Sequence, residues 1–86
     1  MTHKQRELAR HALGLPNRKQ LSYRNHFVCG PDHDDYEDWL SMCQSGLAKH
    51  RNLGQASGGD EVFWLTAEGA KLALDEGENL DVEDFS

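Results

Sequence analysis

Four side chains with metal-binding chemistry lie close together in the first half of this chain: His26, Cys29, His33 and Cys43, spaced H-x2-C-x3-H-x9-C. Zinc takes thiolates and imidazoles in a tetrahedron, and this set holds two of each. The spacing matches no common finger, however, and Cys43 falls on the apolar face of a helix, where a cysteine behaves as a small hydrophobe. No metal is therefore expected. Asp32-His33-Asp34-Asp35 offers hard oxygen ligands, but successive side chains point in different directions and adjacent residues rarely converge on one ion. The same residues read more simply as a helix start with favourable first-turn charge.

Other catalytic chemistry is as poorly supported. Cys29 or a serine with one of five histidines would need an identifiable nucleophile turn, and none is present. Gly54, Gly58 and Gly59 belong to a hairpin turn with no following helix start, so they form no phosphate loop. No enzyme activity and no cofactor are expected. The basic segment Arg18, Lys19 and Arg24, with Tyr23 and Phe27 interleaved, is the best nucleic-acid candidate, because aromatics stack bases while cations hold phosphates. With Arg6 and Arg10 it defines the candidate nucleic-acid set. A competing expectation is that this basic strip pairs with the protein's own carboxylates.

Charge is unevenly distributed. Residues 1–28 carry six basic side chains (Lys4, Arg6, Arg10, Arg18, Lys19, Arg24) against Glu7 alone, whereas residues 29–86 carry three against fourteen carboxylates. The net charge of −6 disfavours long-range attraction to nucleic acid. The candidate protein-binding residues are the acidic quartet Asp34, Asp35, Glu37 and Asp38 together with Trp64.

The elements that position these residues follow from apolar periodicity. Leu8, Ala12 and Leu15 share one face of a helix over 3–15, stopped by Gly14 and Pro16. Residues 17–33 read as an irregular basic connection with a short extended piece at His26–Val28, ended by Gly30-Pro31. Tyr36, Trp39, Leu40, Cys43 and Leu47 mark the buried face of a helix over 34–47, capped by Asp34 or Asp35. A β-hairpin follows, with strands at 48–53 and 61–66; Phe63 and Leu65 face the core and Trp64 faces away. Thr66 caps a last helix over 67–74, with Ala70, Ala73 and Leu74 facing in. One α+β domain spans 1–74. Residues 75–86 hold six carboxylates within ten positions and read as a flexible acidic tail; Leu80, Val82 and Phe85 interrupt it and offer the alternative of docking on a partner or back on the domain.

With 86 residues one domain is expected, and seven aromatics suffice to anchor its core without a metal or disulfide. Two cysteines without CxxC spacing are not a disulfide framework, the charged N-terminus has no signal-peptide pattern, and no apolar run approaches the roughly 20 residues of a membrane span. A reducing cytoplasm is the expected compartment.

The run SGLAKHRNLGQASGGDEVFWLTAEGAKLAL from Ser45 to Leu74 resembles the second half of a winged-helix domain, with Gly46-Leu47 at the end of one helix and Leu65-Thr66-Ala67-Glu68-Gly69 opening the next. The resemblance implies a small winged-helix-like fold, with the helix before the hairpin in the position that reads DNA; here that helix opens with four carboxylates, which repel phosphates. Most of the chain, above all SYRNHFVCGPDHDDYEDWLSMCQSGLA, also resembles small uncharacterised proteins of tailed bacteriophages and prophages. That resemblance implies a bacterial host cytoplasm and an accessory role. Three functions stay in competition: a protein-binding module engaging a host or phage protein, a DNA-binding regulator using the basic N-terminal half, and an acidic DNA mimic that inhibits a nucleic-acid-binding complex.

Overall fold

A computed structural model of the chain describes residues 1–85. Three helices, α1 (His3–Leu13), α2 (Tyr36–Gln44) and α3 (Ala67–Ala73), pack with three strands, β1 (Phe27–Cys29), β2 (Ala48–Asn52) and β3 (Glu61–Leu65). The strands form one antiparallel sheet of order β1-β3-β2, so the class is α+β. This order is compatible with a winged-helix-like arrangement, although turns at 31–35, not a second helix, lead from β1 into α2.

Helix boundaries follow local chemistry. Thr2 and Gln5 form a reciprocal capping box at the start of α1, which satisfies two of the orphan amides of its first turn. Its end lies at Leu13 instead of residue 15, because Gly14 turns left-handed (φ 79°). The left-handed conformation favours glycine there, and the exposed Tyr23 ring lies over it, 2.2 Å from where a Cβ would stand. Helix α2 is shorter than the expected 34–47. Asp35 is the N-cap residue, but its side chain makes no capping bond; its carboxylate lies 3.6 Å from Lys4 Nζ instead. The helix ends before Gly46, which is left-handed (φ 77°). The hairpin strands end at Asn52 and Leu65 and α3 at Ala73, within the usual margin at element ends.

The core lies between the helices and one face of the sheet. Trp39 and Met42 of α2, Ala9, Ala12 and Leu13 of α1, Phe63 and Leu65 of β3, and Ala70 and Ala73 of α3 are all buried. Trp39 stacks on Phe63 at 5.5 Å and tilts against Phe27 at 5.4 Å, the offset geometry that aromatic pairs favour. Tyr36, Leu40, Cys43 and Leu47 are only partly buried around this centre. Met42 sits deeper than all four of them, a place the apolar spacing did not assign to it.

Residues 17–26 gain order from side chains. Asn25 donates from Nδ2 to Leu65 O at 2.9 Å and accepts at Oδ1 from Leu65 N–H at 2.8 Å, extending the β1–β3 ladder beyond Phe27 by one side-chain pairing. The backbone of Tyr23 donates to Leu13 O and that of His26 to Ala12 O.

The acidic C-terminal segment, expected from sequence as a flexible tail, packs along the domain. Leu21 and Asn79 form a parallel bridge, Ser22 N–H donates to Asn79 O at 3.0 Å, and Asp81 N–H donates to the buried Ser22 hydroxyl at 2.8 Å. Leu80 and Phe85 pack on the core, while Val82 stays exposed. The physical reason is charge: carboxylates that repel one another in isolation meet the arginines of α1. Ser86, the end of the expected tail, lies outside the described residues.

Candidate functional site

Side chains alternate along a strand, so the register fixes two faces. Phe27 pairs with Phe63 and His50 with Phe63, and these residues belong to the core face. Val28 pairs with Val62, Arg51 with Val62 and Lys49 with Trp64, and these five point the other way. None of the five is buried: Val62 and Trp64 are half-buried, and Val28, Lys49 and Arg51 are exposed. The outer face therefore presents a tryptophan and two valines bordered on the β2 side by two cations. Trp64 occupies the place expected for it.

The acidic quartet lies elsewhere. Tyr36 and Trp39 of α2 contact Phe63, so the start of α2 stands over the core face, opposite Trp64. Asp34 and Glu37 are exposed. Asp35 and Asp38 share Lys4, at 3.6 and 3.2 Å, and the hydrogen bond to Asp38 raises the lysine above its ordinary pKa. The structure thus does not join the quartet and Trp64 into one surface, and one lysine offsets a single charge of the quartet's four.

The basic set divides as well. Arg6 donates from Nε to Leu72 O at 3.3 Å and from Nη2 to Leu74 O at 3.0 Å, and pairs with Asp75. Arg10, almost fully buried, donates to Ala73 O and makes a two-pronged pair with Glu78. Hydrogen bonding to Arg10 holds the Glu78 carboxyl down at about 2. Arg18 and Lys19 sit exposed in a turn. Arg24 donates from Nη2 to His11 O at 2.8 Å, with its guanidinium carbon 5.3 Å from the centroid of the Tyr23 ring. Of five nucleic-acid candidates, two are occupied by the protein's own C-terminal carboxylates.

A polar node escaped the sequence reading. Glu61, nearly buried, accepts a hydrogen bond from the Tyr36 hydroxyl and contacts His50 Nδ1. Hydrogen bonding to Tyr36, then to His50, pulls the carboxyl below its ordinary value, and the same contact pushes Tyr36 up to about 12. The hairpin register held the signal, since residues diagonal across paired strands lie within reach of each other. The node joins α2 to both hairpin strands, and its imidazole also stacks on Phe63 at 5.5 Å.

The four candidate zinc ligands do not form a cluster. His26 is exposed, Cys29 is buried in β1 and Cys43 faces the core from α2. Burial pushes the Cys29 thiol up to about 11, away from the thiolate a metal requires. Among the described residues, no three His, Cys, Asp or Glu side chains are placed to hold a metal, and no helix is long and apolar enough to cross a membrane. Comparison of the chain with protein-family models, curated proteins and solved structures finds no match.

Proposed function

We propose that this protein is a non-enzymatic module that binds another protein through the outer face of its sheet. The observation that carries the reading is the placement of Trp64, Val62 and Val28 on a face with no buried residue, bordered by Lys49 and Arg51. Tryptophan and arginine are the residue types that most often dominate binding energy at protein interfaces. Apolar groups at the centre and cations at the rim suit a partner with an apolar patch edged by carboxylates. In the setting that the phage resemblance implies, the partner is a host or phage protein in the bacterial cytoplasm.

The regulator reading draws less support. Arg6 and Arg10 would have to give up Asp75 and Glu78 before meeting phosphates, and the net charge of −6 opposes the approach. The mimic reading needs an uninterrupted row of carboxylates, and Lys4, Arg6 and Arg10 interrupt it.

The test compares capture of bacterial proteins by the natural sequence, by Trp64→Ala and by the double variant Lys49→Glu/Arg51→Glu. The reading expects one partner to be lost with either change and retained by Glu37→Gln. Capture that survives both changes, or a yield of nucleic acid alone, overturns it.

A further inference from the structure

A depression of about 310 Å³ lies between the end of α1 and β1, lined by His11, Arg24, His26, Phe27 and Val28. We propose that it binds a small phosphomonoester carried on a single flat ring. Its lining divides into two chemical halves. Phe27 and Val28 give apolar contact, and the Phe27 ring meets the His11 ring edge-on at 5.7 Å. Arg24, His11 and His26 supply the N–H groups, and three such side chains suit the three terminal oxygens of a phosphate better than the two of a carboxylate.

Arg24 differs from the cations of α1. Lys4, Arg6 and Arg10 each pair with a carboxylate, whereas Arg24 pairs with none among the described residues: its contacts are the His11 carbonyl and the Tyr23 ring. Its Nε is buried with no hydrogen-bond acceptor, an unfavourable state for a donor. An oxyanion in the adjoining depression gives the guanidinium a counter-charge, and a small reorientation of the side chain gives Nε an acceptor. The volume lies at the lower end of the roughly 300–1,000 Å³ typical of ligand sites, which fits one ring with one phosphate.

This site adjoins the protein-binding face, with which it shares Val28, but it does not rest on that reading. The test is a titration of the full chain with phenyl phosphate, inorganic phosphate and benzyl alcohol, followed by ¹⁵N–¹H correlation spectra. Phenyl phosphate is expected to shift resonances of residues 11 and 23–28 and to bind about tenfold more tightly than either fragment. His26→Gln and Arg24→Gln should each weaken it roughly tenfold, the loss of one charge-assisted hydrogen bond. His26 is exposed, so its replacement is expected to spare the fold, and this variant decides the matter if Arg24→Gln does not fold. No shifts at about 10 mM phenyl phosphate, shifts centred elsewhere, equal affinity for inorganic phosphate, or unchanged affinity in His26→Gln would overturn the proposal.

Discussion

Arg10 and Glu78 meet with Nη1 2.5 Å from Oε1 and Nη2 2.8 Å from Oε2, and the two side chains are only 7% and 5% exposed. Arg10 also donates to Ala73 O at 2.9 Å, while Glu78 accepts from Asp75 N–H at 2.6 Å. One pair thereby ties the first helix, the end of the last helix and the C-terminal segment together. Neighbouring Arg6 repeats the theme with Leu72, Leu74 and Asp75. The α1 arginines are structural cations whose partners lie more than 60 residues away.

Glu78→Gln should therefore destabilise the fold. The pair sits between an exposed ion pair, worth under about 1 kcal/mol, and a deeply buried one, whose breaking costs about 3–5 kcal/mol. A loss of about 2 kcal/mol in urea unfolding is expected, with increased proteolysis after residue 74. An unchanged midpoint would contradict the clamp.

Acid should act through the same carboxyl. Glu78 is held at about 2, below its ordinary 4.5, so the folded state binds a proton less readily than the unfolded chain. Its stabilising contribution is complete above the unfolded value and drains away as pH falls from 4.5 toward 2. Thermal midpoints measured across that window should fall steeply in the natural sequence and less steeply in Glu78→Gln.

Gly69 in α3 approaches the α2–β2 connection so closely that a Cβ would lie 2.0 Å from Leu47 O. The backbone there has little room to retreat, since Thr66 N–H donates to Leu47 O at 3.0 Å and its hydroxyl to Gly46 O at 2.9 Å. Gly69→Ala improves helix propensity by about 1 kcal/mol, yet it should destabilise by about 2 kcal/mol through overpacking. Chemical denaturation decides which effect wins.

The two tryptophans should separate fold from surface. Trp39 is fully buried between Phe27 and Phe63, so Trp39→Ala should cost about 4 kcal/mol or abolish folding. Trp64 is half-buried on the outer face, and Trp64→Ala should cost about 1 kcal/mol, in proportion to the smaller area it covers. Comparable losses would mean that Trp64 is chiefly a packing residue.

Much of this arrangement was legible in the residues. The 3.6-residue spacing of α2, the alternation around Trp64 and the Thr66 cap each placed an element's ends within three positions, because those signals are local. What escaped depends on contacts distant in sequence. Arg10 and Glu78 are 68 residues apart, and neither end announces the other, so the acidic run read as a solvated tail. Asn25 has no strand propensity, yet its amide continues the ladder by bonding both backbone groups of Leu65. For the candidate site, Trp64 was accessible to alternation alone. Lys49 and Arg51 joined it only once the register of β2 against β3 was known, and the acidic quartet left it because α2 packs over the opposite face.

The central claim is that the outer face around Trp64 is the surface a protein partner covers, and site-directed photocrosslinking tests it most directly. A photoreactive residue placed at position 49 or 62, on that face, is compared with one at position 34 or 37, at the start of α2. The account predicts a discrete protein adduct from 49 and 62 that disappears when Trp64→Ala is added. Adducts from 34 and 37 alone, insensitive to Trp64, would contradict it and move the binding surface to the acidic helix.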